Sequence, residues 1–350
     1  MINLYELSET QLTDLLTSWG EPKFRAKQLY DWLYNKRVMS FAEMKNLPKE
    51  LRSRLEAETS LGTLSLVAEQ SSRDGTIKRL YKLTDGQLIE SVLMPYDDDR
   101  RTACISTQAG CAMGCVFCAT GQMGFSRHLK PEEIFEQAMR FASILEADGD
   151  RLSNIVLMGM GEPFHNYDSS VEAIRRLMHE LGIGARHITV STVGLVPQIR
   201  RFADEGLQVK LAISLHAATD AERAKLLPVN KRWPLSELMD ACRYYIEKTG
   251  RRVTFEWAAI QGENDTSEQA HTLGKLLKGM LCHVNIIPLN PTGGYHHGPA
   301  ASDRIEQFIE TLATYGVSAT VRMRRGIDID AGCGQLKAAV INTDDIGVNL

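Results

Sequence analysis

Apolar residues recur along this 350-residue chain with three different spacings, and each spacing marks a region. Up to about residue 60 they come at helical intervals. Leu12, Leu15, Leu16 and Trp19 follow Ser8, which can cap the helix they define. Gly20-Glu21-Pro22 breaks that helix, and Ala26, Leu29, Tyr30, Trp32 and Leu33 define the next. A third helix is expected from near Phe41 and a fourth after Pro48. From Thr63 to Tyr96 the pattern shortens to strands: Thr76–Leu83 and Gln87–Met94 lie either side of Asp85-Gly86, a good hairpin turn.

From about residue 101 short apolar runs alternate with amphipathic stretches. The runs are Ala103–Thr107, Asn154–Met158, His187–Ser191, Val209–Leu215, Val253–Ala259, Val284–Leu289 and Ser318–Met323. The helical stretches are Pro131–Leu145, Ser169–Leu181, Leu195–Ala203, Leu235–Lys248, Ser267–Leu277 and Ser302–Tyr315. A repeated βα unit implies parallel strands covered by helices. The expected fold is therefore α/β: a partial (βα)6 barrel over 101–340, preceded by a small helical domain over 1–60 and a β-hairpin linker over 61–100. In such barrels chemistry sits on the loops after the strands.

Composition narrows this little. At 43% hydrophobic and 24% charged the chain is an ordinary globular one. No apolar run approaches the roughly 18 residues that span a bilayer, and the acidic start Met1–Glu9 is unlike a signal peptide. A cytoplasmic protein with no membrane partner is expected. The net charge of −4 gives no global sign of nucleic acid, but its distribution does. Pro22–Leu55 holds nine basic residues (Lys23, Arg25, Lys27, Lys36, Arg37, Lys45, Lys49, Arg52, Arg54) against Asp31, Glu43 and Glu50. Such an excess suits a phosphate backbone, and equally a solvated helix surface.

The seven cysteines, without a secretory start, point to metal or catalytic roles rather than a disulfide framework. Three are spaced C-x3-C-x2-C, as Cys111, Cys115 and Cys118. A closed zinc site wants four ligands, and only His128 lies near in sequence. A [4Fe–4S] cluster held by three thiolates keeps one iron open for an outside ligand, and S-adenosylmethionine (SAM) can fill it. This spacing, with Phe117 inside it, is the radical-SAM signature; a zinc knuckle is the alternative. Gly159-Met160-Gly161-Glu162-Pro163, Ser191, Ser214-Leu215-His216 and Asn290 stand at strand ends, where they could ring a polar cofactor. Cys333 sits between glycines in what reads as an exposed, mobile loop, and Cys104 just precedes the cluster loop; both suggest thiol chemistry. Cys242 and Cys282 read as small buried residues.

Nearly the whole chain resembles the RlmN/Cfr family of radical-SAM RNA methyltransferases. The resemblance rests on Glu90–Pro95, Cys104–Gln108, Gly110–Phe125, Gly159–Pro163, Ser214–His216 and Asp328–Leu336. Gln122–Phe125 and Pro163 look like the branch that methylates adenine C2 rather than C8. The family usually has Ala where this chain has Gly332, a change expected to loosen the Cys333 loop. The resemblance implies one [4Fe–4S] cluster on Cys111, Cys115 and Cys118, and two SAM molecules per turnover. It implies SAM contacts at Gly161, Glu162, Ser191, Ser214, Leu215, His216 and Asn290. It also implies Cys333 as a methyl carrier, Glu90 as proton acceptor, and Cys104 as a resolving thiol that forms a transient disulfide with Cys333. The implied partners are 23S rRNA, tRNA and an external electron donor of the flavodoxin type, with the enzyme acting as a monomer.

Overall fold

A computed structural model describes residues 1–338; the last two residues of the third expected region, 339 and 340, lie outside the described residues. The N-terminal unit opens with β1 (Ile2–Asn3) and α1 (Glu9–Ser18). Ser8 and Gln11 exchange side-chain-to-backbone hydrogen bonds across the first turn of α1, a capping box. α2 (Phe24–Tyr30) runs on into a π turn over Asp31–Asn35. The third expected helix is a single 3-10 turn, Phe41–Glu43. Only a few residues separate it from Pro48, and the position before a proline disfavours helix, so no nucleus can propagate. α3 (Lys49–Glu58) follows, and β2 (Thr59–Ser60) pairs in parallel with β1 to tie the unit's two ends together.

Next come β3 (Ser65–Ser71), β4 (Ile77–Lys82) and β5 (Leu88–Pro95), all antiparallel. β6 (Arg101–Cys104) leads to a short hairpin of β7 (Gln108–Gly110) and β8 (Phe125–His128), which encloses the cysteine loop and α4 (Ala119–Gln122). Strands and helices then alternate: α5 (Pro131–Ala147), β9 (Asn154–Leu157), α6 (Tyr167–His179), β10 (Ile188–Thr192), α7 (Val196–Asp204), β11 (Lys210–Ser214), α8 (Asp220–Leu226), α9 (Leu235–Thr249), β12 (Val253–Ala259), α10 (Ser267–Leu277), β13 (Cys282–Pro288), α11 (Ser302–Thr314) and β14 (Ala319–Val321).

One sheet runs in the order β14-β13-β12-β11-β10-β9-β6-β5-β4-β3. Its strands from β6 to β14 are parallel neighbours, and they form the partial (βα)6 barrel. The 61–100 segment expected as a linker extends this sheet, because β5 pairs antiparallel with β6 from Val92–Cys104 to Pro95–Arg101. The barrel strands are buried on both faces, with Val190, Leu211, Ile213, Val253, Phe255 and Val284 fully covered. The N-terminal unit docks on α5 and α6. Arg176 donates to the Tyr5 carbonyl at 2.6 Å and lies over the Phe135 ring at 4.4 Å. No helix among the described residues is long and apolar enough to cross a membrane.

Candidate active site

The β7–β8 hairpin shapes the cysteine loop: Cys111 N donates to Gly124 O at 2.7 Å where the two strands meet. Cys118 then caps α4, and Val116 N is held by Leu226 O on α8. Cys111, Cys115 and Cys118 all line one cavity at the C-terminal ends of the strands. Burial pushes the Cys111 thiol up to about 12 and that of Cys115 well above its usual value. Three desolvated thiols ionise only if positive charge sits among them. No three metal-ligating side chains among the described residues converge on a point that would hold a single ion. Thiols spread around a cavity suit a cluster with an iron at each corner better than mononuclear zinc. His128, the histidine near these cysteines in sequence, does not line the cavity and accepts on Nδ1 from the Gln108 amide at 2.9 Å.

Gly161, Glu162, Ser191, Ser214 and His216 line the same cavity. Gly161 has φ +103, and a Cβ there would stand 2.6 Å from Gln108 Cβ, so only glycine lets the two backbones meet. Gln108 Oε1 accepts from Glu162 N at 2.8 Å and fixes the turn. The Glu162 carboxylate accepts from Phe164 N (2.9 Å) and Val193 N (2.8 Å). Burial nonetheless raises it to about 7, because hydrogen bonds from Val193 N, the Thr192 side chain and Phe164 N only partly offset the lost water. A cationic ligand beside it would complete the compensation. His216 has φ +58 and accepts on Nδ1 from Ala258 N at 2.8 Å. Burial, then the nearby Arg223 charge, holds it down at about 3, so it is a neutral ring.

The Leu215 side chain is wholly buried in the core and does not line the cavity; its backbone carbonyl accepts from Arg223 at 3.2 Å. Asn290 lies in a second, adjoining cavity, where its Nδ2 donates to the Cys333 carbonyl at 3.1 Å. Its Oδ1 is buried with no partner among the described residues.

That second cavity is lined by Cys104, Asn290, Met323, Arg324 and Arg325, and it shares Cys118, Met158, Arg322 and Cys333 with the first. Cys333 therefore stands where the two meet, with Cys104 across one of them. Both are free thiols, and burial, then the proximity of Cys333, lifts Cys104 to about 12. The loop carrying Cys333 is held, contrary to the mobility its glycines suggested. Ala119 N donates to Gly334 O (2.7 Å), Thr120 Oγ1 to Leu336 O (2.6 Å) and Gln335 Nε2 to Pro291 O (3.1 Å). At Gly332 the Asn290 and Gln335 side chains close in: a Cβ there would come within 2.6 Å of Asn290 Nδ2 and of Gln335 Oε1, and either side chain would have to give way.

Glu90 lines neither cavity. It is buried on β5, with Lys78 Nζ 3.7 Å from Oε1 and Lys337 N donating to Oε2 at 3.0 Å.

Sequence reasoning missed Arg223, Gln108 and Lys78. Arg223 is fully buried and donates to the carbonyls of Val193 (2.6 Å), Ser214 (3.1 Å) and Leu215, and to Asn230 Oδ1 (2.9 Å). It thereby joins the ends of β10 and β11 beneath the cavity. Burial brings its guanidinium down to about 10. Nothing in Glu222-Arg223-Ala224 separates it from a surface helix residue.

A partial barrel with three cysteines on the loop after its first parallel strand defines a radical-SAM protein, and the radical SAM superfamily model matches residues 105–273. Such a protein uses an iron–sulfur cluster and SAM. Residues 2–61 match the ribosomal RNA large subunit methyltransferase N-terminal domain. Dual-specificity RNA methyltransferase RlmN 1 of Myxococcus xanthus is 57% identical over 97% of this chain and 95% of its own length. A probable dual-specificity RNA methyltransferase RlmN of Geobacillus thermodenitrificans is 49% identical over 96% and 93%. A crystal structure of a radical SAM methyltransferase from Sphaerobacter thermophilus superposes with a TM-score of 0.92 at 48% identity, covering 97% of this chain and all of that one. The chain belongs to the RlmN family of radical-SAM RNA methyltransferases.

Proposed function

We infer that the protein methylates C2 of adenosine in RNA, taking both 23S rRNA (an adenosine of the peptidyl-transferase region) and tRNA (the adenosine 3′ of the anticodon), and that Cys333 carries the methyl group. The observation that carries this reading is the placement of Cys333 at the junction of two cavities, one lined by Cys111, Cys115 and Cys118 and the other by Cys104. The names of the relatives support RNA of two kinds as substrate.

Adenine C2 is electron-poor, so it cannot simply attack a methyl donor. When bound on Cys111, Cys115 and Cys118, the cluster with SAM, two molecules of which are used per turnover, supplies a methyl group, a 5′-deoxyadenosyl radical that takes a hydrogen atom, and a place for one electron to return. Gly161, Glu162, Ser191, Ser214 and His216 hold SAM, and Asn290 seats Cys333. Cys333 bears the methyl as a thioether, and its methylene carbon bonds to C2, leaving the RNA covalently tied to the loop. Glu90 takes the C2 proton, while the electron pair of that C–H bond stays in the ring. Cys104 then attacks the Cys333 sulfur; the sulfur–methylene bond breaks, its electron pair passes to carbon and is protonated, and a Cys104–Cys333 disulfide remains for cytosolic reductant to open. The target base must leave its stack to reach Cys333. Lys23, Lys27, Lys45 and Lys49 on the N-terminal unit are exposed and have no ion-pair partner among the described residues, so they are free to meet phosphates. The enzyme acts as a monomer with a flavodoxin-type electron donor.

The test is mass spectrometry of nucleosides from total RNA of cells with and without the gene. 2-Methyladenosine should vanish with the gene and return with wild type but not with Cys333→Ala. If 8-methyladenosine tracks the gene instead, the C2 assignment fails.

A further inference from the structure

Two side chains buried together on the antiparallel edge of the sheet are not explained by any cavity. Lys78 on β4 and Glu90 on β5 are 6% and 2% exposed. Leu80 faces Glu90 across the ladder and Lys78 faces Val92, so Lys78 and Glu90 share one face as diagonal neighbours. Lys78 Nζ lies 3.7 Å from Glu90 Oε1 and 3.4 Å from the Asp330 carbonyl. Glu90 Oε2 accepts from Lys337 N. Both contacts therefore reach the segment that carries Cys333, one on each side of it. Asp330 itself is held at φ +51, an unusual conformation for a residue other than glycine.

We propose that Lys78 is a positioning residue for the reaction: its ammonium anchors Glu90 Oε1 as a carboxylate and ties it to the Cys333 loop, leaving Oε2 as the oxygen that receives the adenine C2 proton. This rests on the reading of Glu90 and Cys333 given above. A buried carboxylate without a countercharge is costly, and it relieves that cost by holding a proton. Among the described residues Lys78 is the only basic side chain within ion-pair distance of Glu90. Oε2, by contrast, accepts from a single backbone amide, that of Lys337. The C2–H bond then breaks, its proton goes to Oε2, and its electrons remain in the ring. Lys78 itself makes and breaks no bond.

The test separates formation of the covalent RNA–protein adduct from its breakdown, in holoenzyme under single turnover with a substrate RNA fragment on denaturing gels. With Lys78→Met the adduct should form at nearly the wild-type rate and break down about 10²-fold more slowly, the range general-base loss produces. Lys78→Arg should restore most of that rate, which a packing role would not require. In cluster-free protein, Lys78→Met should also speed amide exchange at Lys337. If Lys78→Met misfolds, Lys78→Gln removes the charge, can still donate to Asp330, and is read the same way. Wild-type breakdown kinetics in the charge-removing variant overturn the role of Lys78. If Glu90→Gln accumulates no adduct either, the covalent route itself has failed, which is a different result.

Discussion

Glu162 offers a quantitative check on the cavity proposed to hold SAM. Its carboxyl is 3% exposed and burial raises it from 4.5 to about 7, against the opposing pull of hydrogen bonds from Val193 N and Phe164 N. The sign follows from proton counting. Between those two values the folded state holds a proton that the unfolded state has released, so stability falls as pH rises through this window. The full penalty, present above pH 7, is about 3 kcal/mol at roughly 1.4 kcal/mol per pH unit. Below pH 4.5 both states are protonated and the penalty is gone. Glu162→Gln has nothing to titrate, though its amide must face one backbone donor at a pH-independent cost of about 1–3 kcal/mol. Urea unfolding of cluster-free protein at a series of pH values from 4.5 to 8 isolates the effect, because other titrating groups cancel in the difference between the two proteins. The stability of wild type relative to Glu162→Gln should fall by about 3 kcal/mol across the series. A difference that stays flat, or that grows in favour of wild type as pH rises, refutes the reasoning that this carboxylate sits undercompensated and waiting for a cation.

Three other outcomes are expected. Cys104→Ala should leave methyl loading of Cys333 intact and trap the RNA–protein adduct, visible on denaturing gels; turnover at the wild-type rate would show that Cys104 is not the resolving thiol. Asn290→Ala removes the 3.1 Å bond to the Cys333 carbonyl, worth about 1 kcal/mol, so amide exchange across 331–336 should quicken roughly fivefold, and unchanged exchange would count against Asn290 as the seat of the loop. Arg223→Leu strips partners from three buried carbonyls at about 1–3 kcal/mol each, so melting temperature and retained cluster absorbance should both fall, while retention of both would mean Arg223 does not organise the cavity floor.

The barrel was legible because parallel strands buried on both faces read as continuous apolar runs; Val253–Ala259 and Ser267–Leu277 end where the spacing says they should. The β5–β6 pairing was not legible, since a hairpin's sequence reports its own turn and not the strand beyond it. The cysteine loop carried its chemistry in its spacing. The Cys333 loop did not carry its rigidity: Gly332 and Gly334 look like freedom, but Asn290, Ala119 and Thr120 are remote in sequence and close in space. Arg223 and Lys78 escaped for the same reason, because charged residue types announce a surface and only the fold shows that these two are buried.

The claim that the methyl group passes through Cys333 is tested most directly by isotope retention. Holoenzyme is given SAM with a fully deuterated methyl group and a substrate RNA fragment, and the methyladenosine formed is weighed. Passage through a methylene bonded to the Cys333 sulfur removes one deuterium and replaces it with solvent hydrogen, so the product should be lighter than the donor methyl by that one exchange. A product that keeps every deuterium would mean direct transfer to the base, and the account built on Cys333 would be wrong.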